Sequence, residues 1–123
     1  MKRKRYIVEI GMGADLHGGD VTKAAQRAVK DAMSRSCLCG LFEIAGIRDP
    51  NQMIVEVSIG CPQPEQVQLE AVKGMVPFGA VSVAAVAGGL GVKGLHLPAL
   101  GAGDRIMVAV AALTVYIDCP ESG

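Results

Sequence analysis

Gly11-Met12-Gly13-Ala14-Asp15-Leu16-His17-Gly18-Gly19-Asp20 is the stretch on which the fold turns. It holds four of the sixteen glycines, two acidic residues and one of the two histidines. Before it, Tyr6, Val8 and Ile10 alternate with Ile7 and Glu9, the two-residue repeat of a strand that ends at Gly11. After it, Val21, Ala24, Ala25, Ala28, Val29, Ala32 and Met33 recur on one helical face. Lys23, Arg27, Lys30 and Asp31 fall on the other faces. Asp20 or Thr22 can cap this helix by accepting from a free N–H of its first turn. Its small alanines allow a close approach to a sheet. The helix should end near Ser36 to Gly40, with Gly40 as its stop.

Downstream the pattern is coarser. Leu41 to Asn51 reads neither as helix nor as strand, and Arg48-Asp49-Pro50-Asn51 is a turn signal. Met53, Val55, Val57 and Ile59 alternate with Ile54, Glu56 and Ser58 in a second strand, stopped by Gly60-Cys61-Pro62. Pro64-Glu65 opens a second helix, with Val67, Ala71 and Met75 in one row, ending at Pro77-Phe78-Gly79. Ala80 to Ala87 is a third strand. Gly88 to Gly94 and Gly101-Ala102-Gly103-Asp104 are glycine-rich loops, and Ile106 to Ile117 is a last strand, apolar on both faces. Cys119 to Gly123 reads as a tail.

The expected fold is α+β, a two-layer β-α-β-α-β-β domain over residues 1–123. Two helices cover one face of a four-stranded mixed sheet. The second face is then bare and apolar, and a closed ring of subunits would cover it. This order resembles the small trimeric chorismate-mutase-like and YjgF-like architecture, in which pockets form at the subunit clefts. The resemblance is one of fold and carries no activity.

Composition narrows the function. The chain has 123 residues, half of them hydrophobic, and twelve basic residues balance twelve acidic ones. A neutral chain argues against nucleic acid, which calls for a basic face. The basic run Lys2-Arg3-Lys4-Arg5 reads as a solvated end. No apolar run is long enough to span a bilayer, so the expectation is a soluble cytoplasmic protein with no membrane partner. Cys37, Cys39, Cys61 and Cys119 lack disulfide or C-x-x-C spacing and read as reduced thiols that partly fill the core.

Chemistry concentrates in the glycine-rich stretch. In extended backbone, Asp15 and His17 project to one side. Together they can offer an oxygen and a nitrogen to a divalent metal such as zinc, or form an acid–base pair in which the carboxylate orients the imidazole. Gly11, Gly13, Gly18 and Gly19 allow positive φ and close approach to a ligand, and the N-terminus of the following helix can hold an anion. The alternative is a capped turn, with Asp20 on the helix, Asp15 in an Asx-turn and His17 at the surface. His96 is the candidate third metal ligand. Asp104 can orient a histidine or meet a substrate amine, and Lys93 can contact an anion. Cys61 lies near the start of the second helix, which would lower its thiol pKa. Without a base beside it, its default is a packed thiol.

The motif Gly11-x-Gly13-x-Asp15-x-His17-Gly18 resembles the GxGxDxHG signature of a small family of bacterial and plant conserved hypothetical proteins. Pro98-Ala99-Leu100-Gly101-x-Gly103-Asp104 is similar to the same family, so the likeness runs the length of the chain. It implies a fold and a site but no reaction. Asp15-x-His17 also resembles the zinc-ligand pair of methylerythritol cyclodiphosphate synthase. That enzyme needs a further histidine, for which this chain offers only His96 in unlike surroundings, and its activity is not carried over. The residues thus point to a small polar or anionic ligand in a cleft between subunits of a homotrimer. Whether the site is catalytic, only binds a metabolite, or serves assembly stays open.

Overall fold

The computed structural model describes residues 1–101 and 103–120. Ala102 of the second glycine loop and positions 121–123 of the tail lie outside the described residues. The elements are β1 (Lys2–Asp15), α1 (Val21–Met33), α2 (Cys39–Glu43), β2 (Ile54–Cys61), α3 (Leu69–Lys73), β3 (Ala80–Ala87), β4 (Leu90–Lys93) and β5 (Arg105–Cys119). Single 3₁₀ turns occupy Pro50–Gln52 and Pro64–Gln66.

Among the described residues the strands form one mixed sheet in the order β1-β5-β2-β3. The long β5 is its spine, antiparallel to β1 from Lys2↔Cys119 to Asp15↔Met107 and antiparallel to β2 on the other side. β2 and β3 run parallel, joined through α3. The sheet has five strands rather than four, because the first glycine loop contains a strand. Gly89 turns the chain at φ +65°, and β4 then pairs with β5 just beyond the end of β2.

β1 does not end at Gly11 but runs on to Asp15. Gly11 and Gly13 lie in the strand, and α1 presses directly on them. A Cβ at Gly11 would overlap the backbone of Ala28 and Ala32, and one at Gly13 the backbone of Arg27 and Ala28. These glycines admit a helix, not a ligand. Of the motif's four glycines only Gly19 takes positive φ, at +62°. Ala24, Ala25, Ala28 and Val29 are fully buried in this contact, as the helical period requires. On the outer side of α1, Asp31 accepts from the N–H of Met12 at 2.9 Å. That bond, followed by the Arg35 guanidinium, holds the Asp31 carboxyl below its ordinary value of 3.8.

The expected second helix is shorter than its sequence row. Val67 is extended, at φ −69° and ψ 126°, and buries its side chain. That kink separates the 3₁₀ turn from α3. The first helix ends at Met33, ahead of the expected stop. Gly40 instead sits within α2, where a Cβ would collide with the Tyr6 hydroxyl. The short α2 sends Leu41 into the core.

The core lies between the helices and one face of the sheet. Val55, Val57 and Ile59 of β2 and Ala109, Leu113 and Val115 of β5 are its buried floor. On the opposite face, Val8, Ile10, Met12, Val86, Leu90 and Val110 share register and are exposed. The last strand is therefore covered on one face only within a single chain. No helix among the described residues is long and apolar enough to cross a membrane.

Candidate functional site

β1 delivers Asp15 as its last residue, on the helix-covered face, 8% exposed. Its Oδ2 accepts from the backbone N–H of Asp20 at 2.8 Å. Its Oδ1 faces Arg27 Nη1 at 3.4 Å, and the same Nη1 donates to the Ala14 carbonyl at 2.7 Å. Asp15 thus ties the end of the strand to the start of α1 through charge-assisted bonds. Asp20 takes the N-cap, its Oδ1 accepting from Thr22 N–H at 2.9 Å and Lys23 N–H at 3.1 Å. The helix's positive end already faces a carboxylate. The expectation that its free N–H groups hold an external anion is corrected accordingly.

His17 follows in the bend. Its Nδ1 is buried with no hydrogen-bond partner among the described residues. The side chain lines a cleft of about 460 Å³ with Asp15 and Gly18 from the same loop, Lys23 and Arg27 from α1, and Leu100 and Gly101 from the far loop. Lys23 and Arg27 are one helical turn apart on the polar side of α1, which brings two cations to one wall. The far loop is seated on the motif loop, since a Cβ at Gly101 would run into the His17 carbonyl. The two segments that carry the family likeness therefore meet, although more than eighty positions separate them in the chain.

A second cleft of about 510 Å³ adjoins the first through Gly18. Gly19, Gln63, Asp104 and Arg105 line it. Gln63 holds left-handed backbone at φ 51°, the single non-glycine residue with positive φ among the described residues. Asp104 therefore belongs to this neighbouring cleft and does not line the one with His17. His96 and Lys93 are exposed and line neither cleft. Gly11 and Gly13 lie beneath α1, and only Gly18 of the proposed ligand-binding glycines lines both clefts.

Among the described residues no three His, Cys, Asp or Glu side chains are grouped as a metal's ligands. Asp15 is turned to Asp20 and Arg27 and His96 is not at the cleft, so within one chain these residues do not gather into a zinc site. Asp15 and His17 share no hydrogen bond; the carboxylate orients Arg27 and the loop rather than the imidazole. Cys61 is buried, and burial first and Glu65 second push its thiol up, not down. It is a packing residue. Cys61 fills the core as expected and the half-buried Cys119 packs against it, whereas Cys37 and Cys39 are exposed.

Sequence reasoning placed Lys23 and Arg27 on the helix's outer faces without assigning them to the site, and it passed over Gln63 and Arg105. The signal for the first two was their position in the turn after the Asp20 cap. No local pattern marks the others.

Among proteins of known structure that resemble this chain is a close relative. An FtsZ-like protein of unknown function from Nostoc punctiforme PCC 73102 is 44% identical, the match covering 96% of this chain and 98% of that one at a TM-score of 0.88. No curated protein matches. The model of the conserved hypothetical protein family Lin0512_fam matches residues 5–115, and the chain belongs to that family.

Proposed function

We propose that this protein binds a small anionic metabolite across the two adjoining clefts, without turning it over. The observation that carries this reading is the buried, unpartnered Nδ1 of His17. A buried polar atom without a partner costs about 1–3 kcal/mol. The atom is closed to water, so a ligand oxygen would reach it only by displacing what covers it, and would then remove that cost. Lys23 and Arg27 on one side and Arg105 on the other supply positive charge for such a ligand. Asp15 is turned toward the Asp20 N–H and Arg27 and shares no hydrogen bond with His17, which favours binding over catalysis.

The test is thermal denaturation with inorganic phosphate, citrate and a neutral polyol. The anions should raise Tm, and His17→Ala and Lys23→Gln should each abolish the rise while leaving the ligand-free Tm nearly unchanged. Absence of any shift with anions, or an equal shift with the polyol, would overturn the reading.

The open sheet face favours assembly as a second role. Exposed apolar surface as contiguous as Ile10, Met12, Leu90 and Val110 marks an interaction surface, and three copies in a ring would cover it. The far loop that closes the His17 cleft lies at the same end of the sheet as Leu90 and Val110, which would bring the cleft close to a neighbouring copy. Light scattering checks this: Met12→Lys and Val110→Lys should yield monomers, and a monomeric wild type would sink it.

A further inference from the structure

A cavity of about 420 Å³ lies at the far end of α1 from the clefts, and nothing assigned above uses it. That volume is within the range of small-molecule sites. Leu113 and Val115 of β5 and Val55 of β2 form its floor. Met33 and Met53, unbranched and adaptable, are part of its wall.

Two independent features mark it. The chain has two phenylalanines, and both line this cavity while standing 45% (Phe42) and 47% (Phe78) exposed. Aromatic rings gain most from two-sided contact, and here each lacks it. Glu9 also lines the cavity. Register with Leu113 places it on the helix-covered face of β1, beside an otherwise apolar floor. Its Oε2 accepts from the Ser36 hydroxyl, and no cation pairs with it among the described residues. Sheet order sets Glu9, on one edge strand, across the floor from Phe78, which leads into the other edge strand. The cavity is therefore apolar along its length with one negative end.

We propose that it binds a small molecule with an aliphatic or aromatic body and a single protonated amine. The body lies against Phe42 and Phe78, and the ammonium donates to Glu9. The charge fixes the sense of binding: an amine is accepted, an alcohol of the same skeleton is held more weakly, and a carboxylate is rejected. A charge-assisted hydrogen bond corresponds to about a tenfold preference for amine over alcohol.

The experiment uses n-hexylamine, n-hexanol and hexanoate with the full chain. Binding is followed by methyl NMR of Met33 and Met53, and by the rate of alkylation of Cys37 and Cys39, which are exposed and line the cavity. Hexylamine should shift both methyls saturably, slow the alkylation and bind about tenfold tighter than hexanol. Glu9→Gln keeps an acceptor for Ser36 and should bring amine and alcohol within about twofold of one another. Equal binding of amine and alcohol to the wild type overturns the assignment, as does saturable binding of none of the three. So does a Phe78→Ser variant that dissociates an oligomer, because a second copy would then be the occupant. Should Glu9→Gln fail to fold, the wild type's selectivity among the three probes decides alone.

Discussion

The two ends of α1 are built on opposite principles. At its start both carboxylates are spoken for: Asp15 holds Asp20 and Arg27, Asp20 holds the first turn, and the far loop is seated on His17. At its end the chain leaves volume: Met33, Leu41 and Phe42 surround a cavity that their own side chains do not fill. Yet each end has one group that its surroundings leave unsatisfied. In the polar end it is a nitrogen, His17 Nδ1. In the apolar end it is a carboxylate, Glu9, which the Ser36 hydroxyl meets but which pairs with no cation among the described residues. Tight hydrogen bonding leaves a nitrogen without a partner, and loose apolar packing leaves a charge without its counter-charge.

Both ends depend on the contact between them, and breaking that contact should have the largest effect. Gly11→Val would push α1 off β1, costing at least about 3 kcal/mol by overpacking. The expected outcome is loss of a cooperative thermal transition, with both sites gone together. Leu41→Ala acts at the apolar end alone. Leu41 is 1% exposed, and its truncation should cost about 3 kcal/mol in urea denaturation while the His17 cleft keeps its anion response. Asp15→Ala is the polar counterpart. It removes the acceptor of the Asp20 N–H and the ion pair of Arg27, whose guanidinium is half in water and keeps the Ala14 carbonyl, and should cost about 1 kcal/mol. Adding Arg27→Ala should cost less than the sum of the two single changes, as a double-mutant cycle would show.

The smallest effect is expected at Asp31, on the outer side of α1 between the two ends. Its folded carboxyl titrates below the ordinary 3.8 because it accepts from Met12 N–H and faces Arg35. Its contribution is then fully present above that ordinary value and lost as pH falls through the lower folded one. Wild type and Asp31→Asn should therefore differ in Tm at about pH 7 and converge as the pH falls below the carboxyl's lowered value. A gap that persisted in acid would show that the carboxylate is not what links β1 to α1.

Much of this was legible from residue types alone. The row from Val21 to Met33 has one period and one plausible partner, so α1 and its buried face follow directly, and Asp20 caps it as its position implied. The alternation of β2 and the mixed sheet were readable for the same reason. Glycine was where reading failed. Gly11 and Gly13 look like a loop, because the reason for their lack of a side chain is a helix that packs there only in three dimensions. Gly88-Gly89 looks like a longer loop for a similar reason: the strand after it is four residues and gains its place from β5. Val67 broke a periodic helix because burial of one side chain outweighed local propensity. The site divided likewise. His17 and Asp15 were visible in their motif, whereas Arg105 and Gln63 join it only through the path of the sheet.

The bond from Met12 N–H to Asp31 also governs how the sheet can grow. It closes part of the outer margin of β1, and Lys2 to Arg5 line its first residues with like charge. A foreign strand cannot readily zip onto that side. The margin of β3, Ala80 to Ala87, has small and β-branched side chains and no such guard. Two copies that met there would use up the receptive side of each, and stacking would stop at a pair instead of running on into a fibril.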